Sequence, residues 1–332
     1  MTTYGAAIRE GFAYLLGNHS DVIVMGQGVW SPWYVGSTMT DLDKEFGRER
    51  VIDTPVSEWA TTSAAVGASL NGLKPIVIHP RMDFMIFATD SIVNQAAKWN
   101  HMLGGQSSPA VCIRGIINRG GEQGAQHSQA LHSWYAHIPG LRVVMPSSVA
   151  DARDLLIAAT LSPDPVIYID DRWLHDREVD LPPARDIDLG TIRNEVVRQG
   201  SDLTICATSY STYLAEQAAS VLAEEGISVE VVDLRVLNPF DNEALVQSVS
   251  RTGRLLAVDG GWATCGVAAE ILASAVESVD PGLWKARPER LTIPPAPAPT
   301  AANLETAYYP DVTAVCAHVR NILGSPLPGG RR

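Results

Sequence analysis

Five short, apolar, largely β-branched runs in the first half of the chain constrain its fold more than any other feature. They are Asp21-Val22-Ile23-Val24-Met25, Pro75-Ile76-Val77-Ile78, Ala110-Val111-Cys112-Ile113, Leu141-Arg142-Val143-Val144 and Pro165-Val166-Ile167-Tyr168-Ile169. Gly, Pro or Asp bounds them, and such runs read as strands buried on both faces of a parallel sheet, where no polar alternation is needed. Helical spacing fills the gaps, as in Ser91 to Leu103, with Ile92, Val93, Ala96, Ala97 and Leu103 on one periodicity. The alternation predicts an α/β fold. With 332 residues and 46% hydrophobic content, the chain is long enough for two such domains of roughly 150 residues each.

The composition shifts between Asp176 and Asn194, where Leu181-Pro182-Pro183-Ala184-Arg185-Asp186 reads as an irregular connection stiffened by proline. A boundary placed there gives a first domain over residues 1–185 and a smaller second domain over 186–332. The second half restarts the α/β pattern. Asp202 to Ala207, Ser228 to Val232 and Arg254 to Val258 read as strands, with a helix from Thr212 to Glu225 stopped by Gly226. Ile293-Pro294-Pro295-Ala296-Pro297-Ala298-Pro299 cannot enter a central strand or a helix interior and is expected to be an extended surface or interface arm. The tail from Ser325 to Arg332 is expected to fray.

The formal net charge of −12 argues against a nucleic-acid or anionic-membrane surface, because the only basic cluster is the terminal Arg331-Arg332. Small molecules and proteins are the expected partners. Cys112, Cys206, Cys265 and Cys316 are scattered with no Cys-x-x-Cys pair, a spacing that suits neither zinc nor a disulfide framework, and they read as buried thiols in a reducing compartment. No basic stretch leads into an apolar one at the N-terminus, and no apolar run approaches the roughly 20 residues that span a bilayer. The expected location is the cytoplasm.

Three places carry candidate chemistry. Glu58 is a lone carboxylate that closes the strand-then-turn run Arg50 to Ser57 and opens a helix of small residues, Ala60 to Ala68. Such a group must face something basic or be costly, although the first turn of a helix also favours an acid through the macrodipole. Gly120-Gly121-Glu122-Gln123-Gly124-Ala125-Gln126-His127 combines small residues, which let a backbone approach closely, with a histidine in a loop context. His132 and His137 read as packing or helix-surface residues, with no third ligand at metal-like spacing. Gly26-Gln27-Gly28 after a strand, with Asp53 ending a second one, imitates a dinucleotide site. Trp30, Pro32 and Trp33 crowd the turn where a pyrophosphate-binding helix would have to begin.

The run Asp53-Thr54-Pro55-Val56-Ser57-Glu58 resembles the β subunits of thiamine-diphosphate-dependent 2-oxoacid dehydrogenases and, more distantly, transketolases. The resemblance extends through Ala96-Ala97-Lys98, Ile113-Arg114-Gly115, Ala125 to Gln129, Pro139 to Val144 and Asp164-Pro165-Val166. It continues more loosely through Asp233 to Pro239, Val258 to Trp262 and Leu304-Glu305. The family resemblance implies a pyrimidine-binding parallel-sheet domain followed by a transketolase C-terminal-like domain. It also implies that Glu58 contacts the coenzyme's aminopyrimidine ring, with its carboxyl shielded, and that Phe84 packs on the ring face with Phe87 as an adjoining wall. His127 becomes the proton donor or the partner of the substrate carboxylate. Considered alone, both phenylalanines are equally core residues.

The family holds Mg²⁺ through a Gly-Asp-Gly motif that this chain lacks. The resemblance therefore implies a separate α subunit that supplies the diphosphate half and the metal, in an α2β2 assembly. The activity implied is decarboxylation of a pyruvate-like 2-oxoacid with transfer of the acyl carbanion equivalent to a lipoyl acyltransferase. The alternative is carbon-carbon bond formation with a carbonyl acceptor, a carboligase reaction. Two further readings are a nicotinamide-binding Rossmann protein and a non-catalytic scaffold, the latter disfavoured by the joint presence of Glu58, Phe84 and His127. The chain departs from the family at Gly26-Gln27-Gly28-Val29, where an acid is lost, and at Arg81, where a neutral residue is usual. Arg81 is expected to offer a guanidinium to an anionic substrate group, or else to be satisfied by Asp83, Asp90 or a partner-chain acid.

Overall fold

The computed structural model describes residues 1–325, so most of the expected frayed tail lies outside the described residues. The chain divides into two compact units that exchange short segments. The first comprises Met1–Arg119, Gln126–Ile192 and Leu237–Pro239; the second comprises Gly120–Ala125, Arg193–Val236 and Phe240–Arg332.

The first unit is built on a seven-stranded sheet. From one edge to the other it runs Val236–Asn238, Arg142–Val144, Val166–Asp171, Cys112–Ile117, Lys74–His79, Val22–Gly26 and Val51–Asp53. The pairings from Arg142–Val144 to Val51–Asp53 are all parallel. Every residue of Cys112–Ile117 and Val166–Asp171 is buried, which is why these strands carry no alternation. The expected run Ala110 to Ile113 begins two residues before its strand and ends four residues short of the strand's end. Arg114, one residue past the expected run, lies fully buried inside the strand, where Asp170 on the neighbouring strand accepts from its Nε and Nη2, each at 2.8 Å. Helices Tyr4–Asn18 and Val149–Leu161 cover one another, capped by Thr3 and Ser148, whose hydroxyls accept from Ala6 and Asp151 backbone amides. The segment expected as a helix from Ser91 is a wide-turned π stretch, Asp90–Ala96, that tightens into the α-helix Ala97–Met102.

The second unit carries a five-stranded sheet in the order Glu289–Ile293, Leu255–Trp262, Leu203–Ala207, Val229–Asp233 and Glu195–Arg198, parallel except for the last strand. Helices Tyr210–Glu224 and Val312–Gly324 pack on it through Leu214, Ala218, Leu222, Val315 and Val319. The proline-rich arm is irregular and exposed from Pro294 to Pro297, and the indole of Trp262 donates to its Ala296 carbonyl at 3.1 Å. Cys112, Cys206 and Cys316 are buried as expected, whereas Cys265 is exposed; all four are free thiols. Among the described residues, no helix is long and apolar enough to cross a membrane.

Candidate active site

Parallel α/β sheets expose ligand sites at the carboxyl ends of their strands, where the connections to the next helices diverge. The first unit has a pocket at this place. Gly26 and Gln27 contribute from the end of one strand, Val77 to Pro80 from another, and Thr54, Pro55, Ser57, Glu58 and Thr61 from the turn and helix that follow the edge strand. Phe84 completes it. The turn is held locally: the Thr54 amide donates to the Gly26 carbonyl at 3.0 Å, and the Thr61 amide donates to the Ser57 carbonyl at 2.9 Å. The helix Glu58–Ser69 thus begins at the residue expected, with Glu58 half-buried in its first turn. Small side chains behind it allow close packing. Thr62 and Ala65 are fully buried, and Ser63 hydrogen-bonds Ser91 at 2.7 Å.

His79 is the pocket residue that the sequence reading passed over. It ends the Lys74–His79 strand, is buried, and meets the Thr62 hydroxyl through Nε2 at 3.2 Å. Burial pushes its pKa down to about 4, so at neutral pH the imidazole is uncharged. A histidine closing an otherwise apolar strand immediately before a proline was the available signal.

Phe84 and Phe87 lie on the short 3₁₀ helix Met82–Ala88. Their rings stack at 6.5 Å, but only Phe84 lines the pocket, and Phe87 is 66% exposed on the outer side. His127 lies in the turn before Ser128 and presents its ring edge-on to Phe84, with centroids 5.3 Å apart. Asp83 ties this loop down. Its Oδ1 accepts from the Gln129 amide at 3.1 Å and from Gln129 Nε2 at 2.9 Å, while burial pushes the carboxyl's pKa up. Asp83 is therefore engaged with Gln129 as a loop clamp.

Arg81 is half-buried and donates through Nη1 to the Pro80 carbonyl at 2.8 Å. Burial, and then the neighbouring Arg172 guanidinium, lower its pKa. Gln27, one of the departures from the family, donates to the Tyr34 hydroxyl at 3.1 Å. The structure removes the dinucleotide reading. Asp53 Oδ1 accepts from the Gly28 amide at 2.6 Å, Gly28 has φ +69°, and the Tyr34 ring fills the space a side chain at Gly28 would need. Residues 27–41 form turns, with no helix N-terminus in place to receive a pyrophosphate. His132 is buried and His137 exposed, and among the described residues no group of three His, Cys, Asp or Glu is placed to hold a metal.

The pocket is walled by Val77, Ile78, Pro55, Pro80 and Phe84, and Glu58 is the single carboxylate among its lining residues.

Residues 1–174 match the family model "Transketolase, pyrimidine binding domain", and residues 193–315 match "Transketolase, C-terminal domain". The pyruvate dehydrogenase E1 component subunit beta of Rhizobium meliloti is 36% identical over 326 residues, covering 96% of this chain and 69% of that one. The mitochondrial counterpart of Saccharomyces cerevisiae is 34% identical, covering 97% and 88% respectively. The acetoin:2,6-dichlorophenolindophenol oxidoreductase subunit beta of Cupriavidus necator is 39% identical, covering 83% and 81%. Among solved structures, a split-gene transketolase, described as an inactive beta4 tetramer, superposes with a TM-score of 0.76 over 98% of this chain and 99% of that chain. At 22% identity this shows a common fold.

Proposed function

The chain belongs to the family of pyruvate dehydrogenase E1 component β subunits, thiamine-diphosphate-dependent enzymes of the transketolase type, and on that premise we propose that it decarboxylates a pyruvate-like 2-oxoacid together with an α subunit. The observation that carries this reading is the meeting of Glu58 and Phe84 in one pocket, with His127 edge-on to Phe84.

Thiamine diphosphate, when bound, supplies the carbon centre that takes up the electron pair left as CO2 departs. Glu58, half-buried in the first turn of its helix, would hydrogen-bond a basic nitrogen of the aminopyrimidine ring and so position that ring for proton transfer. The Phe84 ring provides the flat apolar wall. His127 pairs with the substrate carboxylate or delivers a proton, its loop held by the Gln129 to Asp83 clamp. Arg81 offers its guanidinium to an anionic substrate group. Phe87 is exposed, as are Ile86 on the same 3₁₀ helix and Val56 and Trp59 on either side of Glu58, apolar side chains suited to cover by a partner chain. That partner is the α subunit, contributing the diphosphate half and Mg²⁺ in an α2β2 assembly, with a lipoyl acyltransferase as the acceptor in the dehydrogenase reaction. The location we assign is the cytoplasm, in keeping with four free thiols.

The test is co-purification with a candidate α chain, followed by CO2 release from a panel of 2-oxoacids. Glu58→Gln should lower turnover about 10²- to 10⁴-fold, the usual worth of a positioned proton-transfer group, with the assembly still forming. Turnover like that of the unmodified enzyme would remove Glu58 from the chemistry.

A further inference from the structure

Resting on that reading of the reaction, we propose that Ser91 is a positioning residue for Glu58, acting by fixing the helix turn that carries the carboxylate. The helix Glu58–Ser69 begins without help from the residue before it, since Ser57 makes no side-chain capping bond. A helix start of this kind lacks the bond that most sharply fixes its first turn. Lateral contacts from the next residues take its place. The Thr61 hydroxyl donates to Thr54 Oγ1 at 3.4 Å, Thr62 Oγ1 meets His79 Nε2 at 3.2 Å, and Ser63 Oγ lies 2.7 Å from Ser91 Oγ. Three consecutive residues are thus tied to three different segments: the turn after the edge strand, the end of the Lys74–His79 strand, and the π stretch Asp90–Ala96.

The contact with Ser91 also reaches the residue next to Glu58. Ser91 is fully buried, and its hydroxyl donates to the Trp59 carbonyl at 3.3 Å. A serine hydroxyl has one hydrogen, and a carbonyl can only accept. With the Ser91 hydrogen on Trp59, the hydrogen between the two serines belongs to Ser63. The order of donors is therefore fixed, from Ser63 to Ser91 and from Ser91 to the Trp59 carbonyl, and both buried hydroxyls are satisfied. A π stretch is a rare form found mostly as a single wide turn. Here it places Ser91, its second residue, against the opening turn of the neighbouring helix.

Ser91 is not among the residues that line the pocket, and its hydrogen is committed to Trp59, so it acts on the chemistry through Glu58. What it sets is where the carboxylate stands in the pocket it shares with Phe84. Displacing a reacting group by about 1 Å can cost about 10²-fold in rate, so a bond of this kind counts for more than its own strength.

The experiment uses the complete enzyme with its α subunit, stripped of coenzyme, and measures the Kd of thiamine diphosphate by calorimetric titration beside kcat and KM for the 2-oxoacid. Ser91→Ala removes the hydroxyl and little volume. The coenzyme Kd should rise and kcat should fall, each about 10-fold, with KM nearly unchanged. In a Glu58→Ala background the Ser91→Ala effect on Kd should disappear, because no carboxylate is left to place; a purely structural role would persist there. Ser63→Ala keeps the bond from Ser91 to Trp59 and should shift Kd and kcat the same way by less. It carries the test if Ser91→Ala does not assemble, and no shift in it would then overturn the role. Ser91→Ala values equal to those of the unmodified enzyme, or a Kd effect undiminished in the Glu58→Ala background, overturn the positioning role alone. An unmodified enzyme that neither binds thiamine diphosphate nor releases CO2 from any 2-oxoacid overturns the parent reading and the positioning role with it.

Discussion

His79 shows what one side chain adds when burial leaves no room for a charge. Its unfolded-state pKa of 6.5 falls to about 4 in the fold, through desolvation. The unfolded chain therefore binds the proton more readily. Native stability from this group is complete above about pH 6.5 and declines as pH falls towards 4, by up to about 3 kcal/mol at 1.36 kcal/mol per pKa unit. Urea unfolding followed from pH 7 to pH 4 should show one proton's worth of slope that disappears in His79→Gln; an identical slope in that variant would assign the effect elsewhere. The place of His79 at the end of an apolar strand and before Pro80 marks it in the sequence, but that this strand end closes a pocket wall is set by the neighbouring segments and not by its own letters. Glu58 was legible because a turn, a proline and a run of small residues mark its helix start locally.

At the scale of elements, the 3₁₀ helix Met82–Ala88 and the loop around His127 act as one piece, joined by Asp83 and Gln129. Hydrogen bonds to a charged group contribute about 1.5–3 kcal/mol each, so Asp83→Ala should both loosen this loop and reduce kcat, with Asp83→Asn milder. If the clamp acts through His127, the Asp83→Ala effect on kcat should nearly vanish in a His127→Ala background, whereas full additivity would show the two acting independently. Pattern alone placed Phe84 and Phe87 on equal terms. The 3₁₀ turn separates them, sending one ring into the pocket and leaving the other exposed.

At the scale of the whole molecule, the central sheet of the first unit encloses an ion pair that no apolar pattern announces. Burial pushes the Asp170 carboxyl up, but Arg114 outweighs it and, with His175 at 3.0 Å, holds it well below the usual carboxylate range. Stability from Asp170 is present above its unfolded pKa of 3.8 and is lost as pH falls through the still lower folded value. Asp170→Leu should destabilise by about 3–5 kcal/mol, since it strands the buried Arg114 charge, and the double variant with Arg114→Met should recover much of that. Urea midpoints at pH 7 check the cycle; a double variant as weak as the sum of the singles would contradict it. Strand order along the chain, the helix start at Glu58, and the residue types suited to a thiamine site were determined by the sequence itself, because hydrophobic period, turn residues and small-residue runs act over a few neighbouring positions. Only the tertiary structure decided that Arg114 lies inside a strand, that His79 faces the pocket, and that residues 120–125 and 237–239 change units. Each depends on which strands lie side by side, a relation set by packing between residues far apart in the chain.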